Sequence, residues 1–213
     1  MNYTDPHWSN SALITIDVQN DFVRPGAPAE IASTANALPA MRTLLDAYRA
    51  AGRPIIHVVR LYRTDGSNVD LCRKALIEGG GRVVAPGSFG AELSPELLPE
   101  GAPALDAELL LSGGFQPLAR REWAMYKPRW GAFYGTDLEA FLRELGVDTL
   151  VFCGCNFPNC PRTSIYEASE RDFRCVLVPD AMSGVYEQGL KELRAIHVAI
   201  VGMEDACRLA AGR

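Results

Sequence analysis

Short apolar runs alternate along this chain with segments whose apolar residues recur at three- and four-residue spacing, the sequence form of a parallel sheet covered by helices. The first run, Ala12 to Ile16, ends at Asp17 and leads through a loop containing Pro and Gly to a helix expected from near Ser33. Leu38, Met41, Leu44, Leu45 and Tyr48 give that helix one apolar face, and Gly52 stops it. Pro54 to Val59 is the second strand. The stretch from there to about Arg121 is rich in Gly and Pro and holds two short helices. Its length points to a functional or oligomer-contact excursion rather than an idle loop.

Trp123 to Tyr126 reads as a third strand, ending at Lys127. Thr136 and Glu139 have the spacing of a capping box ahead of Leu138, Phe141, Leu142 and Leu145, with Gly146 closing that helix. Thr149 to Cys153 is short, apolar and β-rich, so it is expected to be a central strand. Pro161 sits where a first helical residue would, which puts Cys160 at the N-terminus of a helix running to about Arg171. Cys175 to Val178 is a fifth strand, a helix follows from about Tyr186, and Val198 to Val201 is a sixth. These elements add up to a single α/β domain over residues 1–213, a doubly wound sheet of about six parallel strands with helices on both faces.

Composition narrows the partners. Hydrophobic residues make up 48% of the chain and charged residues 22%, without internal repeats, as in an ordinary globular protein. Net charge is −5 with both signs scattered, so there is no basic stripe for nucleic acid and no polybasic patch for a membrane. Met1 to Asn10 lacks the basic and apolar regions of an export signal, which predicts a cytoplasmic protein. Its six cysteines are then read as reduced thiols. Cys72, Cys175 and Cys207 read as small buried hydrophobes and Cys153 as a core thiol. No paired Cys or His knuckle accompanies Cys153, Cys155 and Cys160, so no metal is assigned.

Open parallel sheets place their ligand crevice beyond the carboxyl ends of the strands. Asp17 ends the first strand, Lys127 the third, and Cys160 opens the helix after the fourth, so an acid, an amine and a thiol can converge there. A helix N-terminus and a nearby cation lower a thiol pKa, which predicts an activated Cys160. Asp17 would accept its proton and return it to a leaving amine, Lys127 would hold the carboxylate ionised, and loop N–H groups between Gly154 and Cys160 would bind the oxyanion. Phe22 and Trp130 lie beside these motifs as substrate contacts, while Arg60 and Arg63 are candidates for a substrate carboxylate. His57, inside the second strand, reads as structural, and Gly79-Gly80-Gly81 as a flexible turn rather than a phosphate loop.

The run Ile16-Asp17-Val18-Gln19-Asn20-Asp21-Phe22, Lys127 ahead of Gly131-Ala132-Phe133, and Gly154 with Cys160 six residues on resemble the isochorismatase-like cysteine hydrolases over nearly the whole chain. The resemblance implies strand order 3-2-1-4-5-6, a Cys160-Asp17-Lys127 triad and a thioester intermediate formed as ammonia or an amine leaves. It also implies a cis peptide between Cys155 and Asn156, with the N–H groups of Asn156 and Cys160 as the oxyanion hole, and a homo-oligomer of two or more copies. Pro158 and Pro161 depart from the family pattern. Nicotinamidases of the family carry an Asp-x-His metal site after the second strand, where Arg60, Leu61 and Tyr62 stand here, so a metal-dependent nicotinamidase is disfavoured.

The expectation is a cofactor-free amidohydrolase that cleaves the C–N bond of a small amide, ureido or N-carbamoyl compound. Two rivals remain: hydrolysis of a vinyl ether or ester in the same crevice, and a catalytically silent small-molecule-binding member of the fold.

Overall fold

The computed structural model describes residues 2–212. Its sheet has seven strands: β1 (Ser11–Ile16), β2 (Ile55–Val59), β3 (Phe115–Ala119), β4 (Glu122–Tyr126), β5 (Thr149–Gly154), β6 (Arg174–Met182) and β7 (Ala199–Ile200). They lie in the order β3-β4-β2-β1-β5-β6-β7. Six are parallel and reproduce the expected order; β3 is an added edge strand, antiparallel to β4. Pro117 concealed β3 in the sequence, because proline cannot donate to a ladder and is confined to edges and bulges, and the β3–β4 register shifts beyond Pro117.

Side chains alternate across β1, which is buried throughout. Ala12, Ile14 and Ile16 join a core closed by α5 (Leu138–Glu144), α6 (Cys160–Ser169) and α7 (Glu187–Ala195). Leu13 faces the opposite core, under α2 (Thr34–Ala50) and α8 (Met203–Ala210). The α2 residues Met41, Leu44, Leu45 and Tyr48 are fully buried, as their spacing predicts. Each such side chain contributes about 1.5–3 kcal/mol by leaving water.

The excursion between β2 and β3 has a third core of its own, built from Leu61, Val69, Ile77, Val84, Leu93 and Leu110 among others. It carries α3 (Leu71–Glu78) and α4 (Ala107–Leu111). A short helix, α1 (Asn20–Val23), anchors it through polar contacts. The Gln19 side chain donates to the carbonyls of Arg60 (2.7 Å) and Ala91 (2.6 Å) and accepts from the Arg60 N–H at 2.8 Å. Asp21 accepts from the Val84 N–H at 2.6 Å. A Cβ on Gly90 would stand 2.1 Å from an Asp21 oxygen, so that contact requires glycine.

Three local expectations change. Thr136 and Glu139 form no capping box: the Thr136 hydroxyl donates to the Ala132 carbonyl at 2.7 Å and meets only the Leu138 N–H, at 3.5 Å, while Glu139 faces Arg143 and Arg171. Helix α6 ends at Ser169, two residues early. Cys72 is exposed rather than buried, because among α3 residues only Ile77 turns into the core.

Candidate active site

β1 is the switch point of the sheet: β2 and β4 extend from one side of it, and β5 returns on the other. The crevice that such a reversal opens lies beyond the ends of β1 and β5. Gly154 permits the two ends to meet. Its φ is +123°, and a Cβ there would stand 2.3 Å from the Ile16 carbonyl oxygen. Beyond it the Cys155 N–H donates to the Ile16 carbonyl (2.9 Å) and the Cys155 thiol to the Asp17 carbonyl (3.0 Å), which draws the loop over β1. The Cys155–Asn156 peptide is cis, at the bond the resemblance indicated.

Asp17 leaves the strand in the left-handed region, at φ +55°, while its N–H still pairs with the Val58 carbonyl at 2.9 Å. Aspartate tolerates this region better than most side chains. Lys127 is fully buried; its ammonium stands 2.9 Å from Asp17 Oδ2 and 3.4 Å from the Arg129 carbonyl. Asp17 Oδ1 is buried without any partner. The segment after Lys127 is locked to α6. Ser164 Oγ donates to the Cys160 carbonyl (2.7 Å) and accepts from the Ala132 N–H (3.0 Å), while Glu167 accepts from the Phe133 N–H at 2.9 Å. These bonds explain Gly131-Ala132-Phe133, since a Cβ on Gly131 would meet the Glu167 carboxylate at 2.1 Å.

Asp17, Phe22, Trp130, Asn156 and Cys160 line one cleft, so the structure brings the sequence-derived candidates together, with Lys127 behind Asp17. The N–H groups of Asn156 and Cys160 have no acceptor among the described residues. Both are available to a ligand oxygen.

The thiol departs from expectation. Burial, reinforced by the Asp17 charge, pushes the Cys160 pKa up to about 11, and the Lys127 and Arg60 cations offset only part of this. The helix N-terminus does not make a resting thiolate here. Cys155 and Cys153, fully buried, are raised as well, and burial leads in each.

The rest of the cleft wall comes from the excursion. Arg60, 3% exposed, donates to the carbonyls of Lys127 (3.1 Å) and Arg129 (2.8 Å) and is ion-paired with Asp70. Tyr62 donates to the same Asp70 oxygen at 2.9 Å. Arg60 is thereby committed to the protein, and Arg63 is exposed beside Pro86 and Leu111, outside the cleft. Asp70 and Arg73, which do line it, escaped the sequence reading; their only signal was a place in the helix following the second strand. Among the described residues no group of three or more His, Cys, Asp or Glu side chains is arranged to hold a metal, and no helix is long and apolar enough to cross a membrane.

The isochorismatase domain profile matches residues 11–205. The crystal structure of an isochorismatase family protein from Desulfovibrio vulgaris subsp. vulgaris str. Hildenborough superposes with a TM-score of 0.81 at 35% identity, over 95% of this chain and 98% of the other. A probable inactive nicotinamidase of Arabidopsis thaliana is 31% identical over 173 residues, 80% of this chain and 79% of its own length. The N-carbamoylsarcosine amidase of Arthrobacter sp is 26% identical over 192 residues, 85% of this chain and 64% of that protein.

Proposed function

Because this chain belongs to the isochorismatase family, we propose that it is an amidohydrolase of a small carboxamide, ureido or N-carbamoyl compound, with Cys160 as nucleophile. The observation that carries this reading is the Asp17 carboxylate: Oδ2 is held by Lys127, while Oδ1 is buried, unpartnered and in the cleft that Cys160 lines. A buried acceptor without a partner costs about 1–3 kcal/mol, so its retention points to use.

The protonated thiol sets the order of events. Asp17 takes the Cys160 proton as sulfur adds to the substrate carbonyl carbon, since little free thiolate exists near neutral pH with a pKa of about 11. The carbonyl oxygen gains the negative charge and lies between the Asn156 and Cys160 N–H groups. Collapse breaks the C–N bond, Asp17 gives its proton to the departing amine, and an acyl thioester remains. Water then adds to the thioester as Asp17 removes its proton. The C–S bond breaks, the acid leaves, and the proton returns to sulfur. Lys127 keeps the Asp17 charge in place through both halves. The N-carbamoylsarcosine amidase relative supports the amide-type bond.

The relative described as a probable inactive nicotinamidase favours a second reading, a silent binding protein. Ammonia release from small amides, ureides and N-carbamoyl acids, compared between native protein and Cys160→Ala of matched circular dichroism, separates the two. Release by the native protein alone supports the amidohydrolase. Equal release by both removes Cys160 from the chemistry, and release by neither moves the binding protein ahead.

A further inference from the structure

The charges around the cleft do not balance. Asp17 is paired with Lys127 and Asp70 with Arg60, which neutralises four of the five ionised side chains gathered there. The fifth is Arg73. Its guanidinium lies 6.0 Å from the centre of the Phe22 ring, and no carboxylate among the described residues forms an ion pair with it. A low-dielectric cleft with one cation in excess favours a ligand with one negative charge. Asp70 supplies an independent observation. It is the N-cap residue of α3, yet its side chain makes no capping bond, and Oδ1 is buried without a partner in the cleft wall. Aspartate at this position ordinarily caps. Here it keeps an acceptor free, beside an unpaired cation one helical turn on.

We propose that the substrate carries a single carboxylate, held by the Arg73 guanidinium, while Asp70 Oδ1 accepts an N–H of the same molecule. Phe22, Ile31 and Trp130 offer apolar surface to the body between these polar ends. Arg73 is then a specificity residue that touches the substrate away from the reacting carbon. This inference rests on the amidohydrolase reading for its substrate class, and the test below separates the two.

Succinamate and N-carbamoylglycine are compared with their methyl esters as sources of ammonia, using native protein, Arg73→Gln, Arg73→Lys and Arg63→Gln. Native protein and Arg63→Gln are expected to prefer the acids by roughly 10- to 100-fold in kcat/KM, the loss typical of one missing charge-assisted pair. Arg73→Gln loses that preference through KM with kcat nearly kept, and Arg73→Lys restores part of it. A native enzyme that takes acid and ester alike, or an Arg73→Gln variant that keeps the preference, overturns the proposal. Calorimetric binding of the same acids to Cys160→Ala, with and without Arg73→Gln, needs no turnover. An affinity at least about tenfold weaker with Arg73→Gln upholds carboxylate recognition even where ammonia release fails. Equal affinity, or no binding of either acid, overturns it.

Discussion

Across the body of the sheet, Thr15, His57, Glu122 and Arg49 form a polar chain in which each side chain is matched; around the cleft, Asp17 and Asp70 each keep one buried oxygen without a partner. In the first cluster His57 contacts Thr15 Oγ1 and Glu122 Oε1, both at 2.8 Å, and Glu122 receives Arg49 at 2.7 and 2.9 Å. Burial alone would raise the Glu122 pKa, but the Arg49 and His57 hydrogen bonds bring it down to about 2. The first cluster sits within β1, β2 and β4 with Arg49 reaching in from α2, and the second lies just past the ends of the same strands with Asp70 reaching in from the start of α3. What separates them is completeness: the closed cluster ties strands together, and the open one retains hydrogen-bonding capacity that only a ligand or a moving proton can use.

If that contrast is functional, removing charge from the open cluster should strike turnover. Asp17→Asn keeps the shape and leaves Lys127 an amide oxygen as well as the Arg129 carbonyl, but it has no basic oxygen at the Oδ1 position. Steady-state ammonia release from the best substrate is expected to fall by about 10²- to 10⁴-fold, the usual range for a lost general base. A variant within tenfold of native would show that the unpaired oxygen is incidental.

The closed cluster should respond in the opposite currency. Glu122→Gln leaves the Arg49 cation, itself 19% exposed, beside a neutral amide. Breaking such a pair should cost about 3 kcal/mol, or about 6–12 °C in Tm for a domain of this size, with kcat within a few-fold of native. The folded Glu122 pKa lies below the ordinary 4.5, so its contribution is present above that pH and is lost as pH falls toward 2. The Tm gap between native and variant should therefore narrow between about pH 5 and pH 3. A gap that stays constant on acidification would sink the ionic explanation.

The same contrast shows why the sequence could be read at some residues and not at others. Asp17, Lys127 and Cys160 each follow an apolar run, so strand-end geometry placed them without any distance being known. Gln19 and Gly131 sat in recognisable runs, but their work, clamping Arg60 and clearing Glu167, depends on elements 41 and 36 residues away. Arg60 looked free because nothing in its neighbourhood announced that Asp70, ten residues on, would turn from its cap to meet it. β3 was hidden by Pro117, and the capping box of Thr136 was lost to a nearer carbonyl. Desolvation was the largest omission. A helix N-terminus is visible in a sequence, but burial around a thiol arises only when the excursion, the loop after β5 and the end of β1 close on it.

That omission yields the smallest of the expected effects and the sharpest in sign. With a folded pKa of about 11, Cys160 holds only about 0.1% thiolate at pH 8, so alkylation by iodoacetamide should be slow there and climb about tenfold per pH unit toward pH 11. The Asp17 charge raises this pKa, whereas Lys127 and Arg60 lower it. Asp17→Asn removes the charge and leaves the cations in place, so the thiol should become the stronger acid and its alkylation at pH 8 should quicken by roughly tenfold. The substitution that disables turnover would thus make the nucleophile more reactive toward a reagent that needs no general base. Peptide mapping that follows Cys160 labelling, with exposed Cys72 as the internal reference, measures both rates in one sample. Faster labelling with slower turnover places Asp17 in proton transfer to and from Cys160. Parallel slowing of both would instead mean that Asp17 holds the loop after β5 in shape, and that the open oxygen is a structural flaw rather than a working acceptor.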